Sequence, residues 1–256
     1  MSEIYVDDIG EGFPFVLVHG YLGSSEMWTF QKEYFSKDYR VIIPALPGFG
    51  ESHNVKSLDS INKMAKEIIN VLDQKKINKF NLIGHSMGGK TAMMFSSMYP
   101  ELIKKLIIVD ILPIYYSNDY NKIIDSLKSL DLKKLVSRVN IDKALESEFK
   151  EPAFRAFLLK NLYRVNKDEL AFKIDLDIIS NNLSEVEKSL PANLHYSGKT
   201  LFIKGQKSDY INKTNSSLLK KVFPDHKIVE VQKAGHWVHA ENLDGFINET
   251  ELFLES

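Results

Sequence analysis

Residues 81–90 read NLIGHSMGGK, and the architecture turns on this stretch. An apolar run at 80–83 leads into Ser86, with Gly84 and Gly88 two positions away on either side. Residues 90–98 favour helix, and Pro100 stops it. A serine at a strand-to-helix turn adopts a strained backbone that pushes its hydroxyl out above the sheet edge. Side chains at 84 and 88 would collide across so tight a turn, and glycine removes them. Gly-x-Ser-x-Gly by itself is weak, with about 0.1 chance matches expected in a chain this long. The strand before it and the helix after it carry the reading. Ser86 is a nucleophile, placed where a helix N-terminus favours developing negative charge.

The rhythm around the elbow extends outward. Short apolar runs separated by helical stretches fill 1–110: FVLVHG (15–20), RVIIPAL (40–46), FNLIGHS (80–86) and KLIIVD (105–110). That alternation predicts a mostly parallel sheet with crossover helices. A helix is expected from about Asp59 to Leu72, its apolar stripe made by Ile61, Met64, Ala65, Ile68, Ile69 and Leu72. The rhythm resumes after 200 with LFIKG, a helix ending before Pro224, KIVEVQ, and a final helix at 243–255. Between them, 111–199 is rich in Lys, Leu and Asn, has helical periodicity and shows no good buried strand. The expected organisation is a core of 1–110 and 200–256, with 111–199 inserted as a helical cap docked on it.

Composition narrows the function classes. The 256 residues are 44% hydrophobic and 26% charged, ordinary globular usage. Lys plus Arg number 33 against 34 Asp plus Glu, a net charge of −1 that argues against nucleic acid as a partner. There is no cysteine, hence no disulfide, thiolate metal site or cysteine nucleophile. No run of about 18 apolar residues is present, so no membrane span is expected, and no signal peptide is evident in MSEIYVDDIG. A cytoplasmic location is the default expectation.

A nucleophilic serine needs a base, an orienting acid and donors for the oxyanion. Seven histidines are available, and His236 in KAGHWVHAENL is the best placed, because it follows the strand KIVEVQ. His239 is second choice; His53, His195 and His226 read as surface residues, and His85 is expected to turn its side chain away from Ser86. The oxyanion donors expected are the backbone N–H groups of Tyr21, after the strand ending in His19-Gly20, and of Met87. His19 itself reads as a brace for that loop. Two aspartates compete for the acid. Asp110 ends KLIIVD; Asp209 lies in GQKSDYI, one residue late for a Gly-x-x-Asp turn, whose third position is Ser208. Phe154, Phe157 and Leu158 read as cap core by their helical spacing, with acyl-pocket lining as the alternative.

Four segments together, the elbow with HGYLGS (19–24), IPALPGFGES (43–52) and AGHWVHAEN (234–242), resemble the α/β-hydrolase superfamily from Phe15 onward. Within it, GHSMGGKTAM (84–93), YPELIKKLIIVDILPIYY (99–116) and FLLKNL (157–162) are similar to the small YbfF-like acyl esterases. The resemblance implies an α/β-hydrolase fold with helices on both faces of the sheet and an inserted helical cap. It also implies a serine carboxylesterase acting on short-to-medium acyl esters, with no cofactor and no metal. The aspartate at the VD position serves the histidine in that family, which favours Asp110 and leaves Ser208 as an auxiliary partner. The cap departs from the pattern: AFKIDLDII (171–179) stands where the family has a Trp-Arg-x-Asn-Leu segment. A thioesterase, a carbon–carbon bond hydrolase or a lyase on the same scaffold is the alternative, and a monomer or homodimer is expected.

Overall fold

The computed structural model describes residues 4–55, 60–117, 120–167, 169–212 and 216–256. In chain order the elements are β1 (Val6–Ile9), β2 (Phe13–Val18), α1 (Thr29–Phe35), β3 (Tyr39–Pro44), α2 (Ile61–Gln74), β4 (Phe80–His85) and α3 (Met87–Met98). Next come β5 (Ile103–Val109), α4 (Tyr120–Lys128), α5 (Arg138–Leu145), α6 (Pro152–Leu159), β6 (Leu162–Asn166), β7 (Glu169–Phe172), α7 (Leu176–Asn181) and α8 (Leu183–Glu187). The chain closes with β8 (Thr200–Gly205), α9 (Ser216–Val222), β9 (His226–Val231), α10 (Val238–Glu241) and α11 (Leu243–Glu255).

Seven strands form one sheet in the order β1-β3-β2-β4-β5-β8-β9. Only β1 is antiparallel to its neighbour; every other pairing is parallel. The period-two alternation of side chains splits the apolar residues between two faces. Phe15, Leu17, Ile83, Ile107 and Ile203 pack with Trp28 and Phe35 near α1 and with Phe246 and Phe253 of α11. Val16, Val18, Leu82, Ile108 and Phe202 pack on the other side with α2 and α3, through Met64, Ile68, Met93 and Phe95. A sheet covered on both faces must be apolar throughout its central strands, and β4 is buried at all six positions.

The helix expected from Asp59 begins at Ile61, where the Ser60 hydroxyl accepts the Lys63 N–H at 3.2 Å; Asp59 itself lies outside the described residues. Parallel pairing brings the C-terminal ends of β2, β4, β5, β8 and β9 to one edge. Because β3 lies on one side of β2 and β4 on the other, the chain changes direction between β2 and β4. The crevice beyond that point is where such sheets hold ligands.

Between β5 and β8 lie five helices and the antiparallel pair β6–β7. The sequence reading of this stretch as helical left out the strand pair. Its only buried side chains within the pair are Leu162 and Leu170, so it has no continuous apolar run to betray it. The stretch lies against the core loops through several ties. Asn161 donates to the Leu22 carbonyl at 2.9 Å, Tyr21 Oη to the Ile179 carbonyl at 3.0 Å, and Lys173 pairs with Glu26 at 2.7 Å. Among the described residues no helix is long and apolar enough to cross a membrane.

Candidate active site

Ser86 joins β4 to α3 with φ 53° and ψ −118°, a left-handed backbone that non-glycine residues avoid. Two bonds over-determine it: its N–H donates to Val109 O at 3.0 Å and its carbonyl accepts from Lys90 N–H at 3.0 Å. The flanking glycines have a steric cause. A Cβ on Gly84 would strike the Gly88 carbonyl, and one on Gly88 would strike the carbonyls of Val18 and His19. Helix α3 therefore sits directly against the ends of β2 and β4.

Asp110, the residue after β5, also takes a positive φ of 52° and is fully buried. Its Oδ1 accepts the Gly205 N–H at 3.1 Å, while Oδ2 accepts from the Ser208 hydroxyl and lies 2.8 Å from His236 Nδ1. Thus the β8 end, the loop after it and the loop after β9 each contribute one polar group to the carboxylate that follows β5. Asp209 is exposed and stands outside this network. His236 and Ser86 line one slot together with Tyr21 and Tyr120. Among the described residues, the amide N–H groups of Tyr21 and Met87 have no other hydrogen-bond partner.

The remaining histidines separate by environment. His19 Nε2 accepts the Leu46 N–H at 3.0 Å and Nδ1 bonds Gly20 O at 2.8 Å, which ties the loop after β2 to that after β3. Burial pulls its pKa down to about 4. His239 packs on Trp28 and His85, and burial pulls it down to about 3; among the described residues its Nδ1 has no hydrogen-bond partner. His85, expected to turn its side chain away from Ser86, makes no hydrogen bond to it among the described residues. It tucks under His236, its ring centroid 4.7 Å away and Nε2 2.9 Å from the His236 carbonyl.

Four further residues meet the site without a signal in the local sequence. Tyr210 stacks flat on the His236 ring, with centroids 3.9 Å apart and planes at 18°. Tyr120 lies beside Ser86 and Tyr210, and burial drives its pKa well upward. Glu241 accepts the N–H of Gly235 at 2.8 Å and of Trp237 at 3.1 Å, the two residues that flank His236. Lys90, on the first turn of α3, is buried and gives its ammonium to the carbonyls of Val186, Glu187 and Lys188 at 2.8–3.0 Å. Burial lowers its pKa to about 8. Lys90, Tyr210 and Glu241 stand within GHSMGGKTAM, GQKSDYI and AGHWVHAEN, but nothing in those stretches marks them for this role, and Tyr120 stands in no motif; all four are brought in by tertiary contacts.

Phe154 and Phe157 of α6 are half-buried and line the slot, whereas Leu158 is buried in the core. Leu158 is core as expected, while Phe154 and Phe157 pack against that core with one side and line the slot with the other. Among the described residues no cluster of three or more His, Asp or Glu side chains is arranged to hold a metal ion.

Comparison with known proteins agrees with this fold. The family model described as "alpha/beta hydrolase fold" matches residues 14–243. The chain is 32% identical over 201 residues to sn-1-specific diacylglycerol lipase ABHD11 of Mus musculus. That alignment covers 76% of this chain and 65% of the relative, just under two thirds of its length. It is 26% identical to Esterase YbfF of Escherichia coli (strain K12), over 94% of this chain and 92% of that protein. A solved structure, a marine microorganism esterase, superimposes with a TM-score of 0.94 at 32% identity, covering 99% of this chain and all of that one. The chain belongs to the α/β-hydrolase fold family and is an esterase/lipase-type hydrolase.

Proposed function

We propose that the protein cleaves carboxylic esters through an acyl-enzyme carried on Ser86, with His236 as base and Asp110 as the orienting acid. The observation that carries this reading is the 2.8 Å contact between His236 Nδ1 and Asp110 Oδ2 beside a strained serine in one slot. The carboxylate holds Nδ1 protonated, which leaves Nε2 free to take the Ser86 proton. Ser86 Oγ attacks the ester carbonyl, and the Tyr21 and Met87 amides receive the oxyanion. Such donors are each worth about 10² to 10³ in turnover. The imidazolium then protonates the departing alcohol. Water, deprotonated by the same histidine, attacks the acyl-enzyme and releases the acid and Ser86.

The segment 111–199 serves as a cap that closes the slot from above, its docking fixed by Lys90 and Tyr21. Ser208 adds a second hydrogen bond to the Asp110 carboxylate, and Asp209 has no part in the reaction.

Ser86→Ala tests the reading. It is expected to abolish hydrolysis of p-nitrophenyl butyrate and stoichiometric labelling by a fluorophosphonate while the far-UV circular dichroism is unchanged. Retained labelling at another serine would overturn it.

A further inference from the structure

Beyond the slot, the same end of the molecule holds a second, much larger space. The slot at Ser86 has a volume of about 30 Å³, room for little more than one water-sized group. The adjoining groove has about 920 Å³, near the upper end for small-molecule sites. Five side chains line both: Leu22, Met27, Phe154, Phe157 and Trp237. They form a throat of carbon between the candidate nucleophile and the groove. Phe154 and Phe157 each pack against Trp237, with centroids 5.7 and 5.5 Å apart.

The ionisable groups bordering the groove are engaged, at its rim or, for His239, held neutral by burial with Nδ1 unpartnered among the described residues. The Asn161 amide bonds the carbonyls of Leu22 and Leu158, and the Glu241 carboxylate holds two backbone amides. Glu148, Lys150, Glu151 and Lys160 are exposed, two of each sign, and set no net field across the mouth. An occupant of the interior therefore has no free ion to pair with and much carbon to cover. Its narrow throat favours a thin group over a branched one.

We propose that the groove takes a long, unbranched alkyl chain of the ester, threaded through the aromatic throat from the carbonyl at Ser86. The substrate class is thus a neutral lipid-like ester of roughly eight carbons or more on one side, at and beyond the upper end of the short-to-medium acyl esters that the resemblance implies. This rests on the reading of Ser86 as the nucleophile. Each methylene drawn into the groove raises kcat/KM by about two- to fourfold, the upper figure equivalent to about 0.8 kcal/mol.

The test is two chain-length series with purified protein: p-nitrophenyl esters from acetate to dodecanoate, and acetates of alkanols from ethanol to dodecanol. A rise of at least tenfold in kcat/KM from four to eight carbons in either series supports the proposal and assigns the chain to the acyl or the alcohol side. Flat or falling profiles in both, with Ser86-dependent turnover of p-nitrophenyl acetate intact, overturn the groove and leave the nucleophile standing. Absence of Ser86-dependent turnover on any ester instead overturns the reading beneath it. Ala153→Trp places an indole on the groove-lining face of α6, and is expected to cut the eight-carbon-to-two-carbon ratio of kcat/KM at least tenfold in whichever series rises with chain length. An unchanged ratio in a folded variant counts against the groove, and the wild-type series decides alone if that variant does not fold.

Discussion

His236 Nδ1 and Asp110 Oδ2 stand 2.8 Å apart although 126 residues separate them in the chain. The contact is made by topology. Strand β5 ends at Val109 beside β8, β9 follows β8 in the sheet, and the loops beyond them close over one carboxylate. An amide at position 110 would still bond Gly205 and Ser208, but it cannot stabilise an imidazolium. Asp110→Asn is therefore expected to lower kcat by about 10⁴ with KM nearly unchanged. Asp209→Asn should stay within twofold of wild type. Steady-state kinetics on one p-nitrophenyl ester checks both, and loss of activity in the Asp209 variant alone would move the acid there.

Glu241 bears on His236 through the backbone. Its two carboxylate oxygens take the amides of residues 235 and 237, so the histidine between them is pinned from both sides. Such charge-assisted bonds are about twice as strong as neutral ones. Glu241→Gln keeps the shape but turns an amide NH₂ toward one of those N–H groups. A drop of about tenfold or more in kcat is expected, with KM little changed and the thermal midpoint within a few degrees. A loss confined to stability, with kcat intact, would make Glu241 a purely structural residue.

Much of this was legible in the sequence for local reasons. Strands β2, β4, β5 and β8 are apolar runs because both sheet faces are covered, and Gly84 and Gly88 mark a turn whose crowding is set within a few residues. Strand β1 was not legible: VDDI carries two aspartates on a partly exposed edge, where Asp8 pairs with Arg40 at 2.7 Å. The choice between Asp110 and Asp209 could not be made from spacing, since the loop after β8 presents Ser208, not an aspartate, to the carboxylate. Tyr120 lies in no motif, and nothing in GQKSDYI or AGHWVHAEN marks Tyr210 or Glu241 for this role. Their positions come from how 111–199 and the loops after β8 and β9 pack over the edge, which is long-range information.

Gly84 offers a test of the elbow's geometry independent of chemistry. A methyl group there overlaps the Gly88 carbonyl, and neither backbone can retreat because Gly88 itself lies on the ends of Val18 and His19. Gly84→Ala is expected to cost more than about 3 kcal/mol in urea unfolding, or to leave the protein insoluble. A variant as stable as wild type would mean that the turn relaxes freely.

The buried histidines predict how the fold responds to acid. His19, His85 and His239 are held neutral by burial, with pKa values lowered to about 4, well below the usual value, and to about 3 respectively. In the unfolded chain each returns to about 6.5, so below that pH the unfolded state binds protons that the native state refuses. Stability is then fully present above about pH 6.5 and falls progressively toward pH 4, by about 2 kcal/mol for each of His19 and His239 at pH 5. His239 sits between Trp28 and His85, away from the Asp110 carboxylate, and it is the one to replace. His239→Gln is expected to lose some stability at pH 7.5 through poorer packing, yet to show a smaller further loss between pH 7.5 and 5 than wild type. Urea midpoints of the two proteins at both pH values check this. Parallel losses over that interval would mean that His239 is protonated equally in the native and unfolded states.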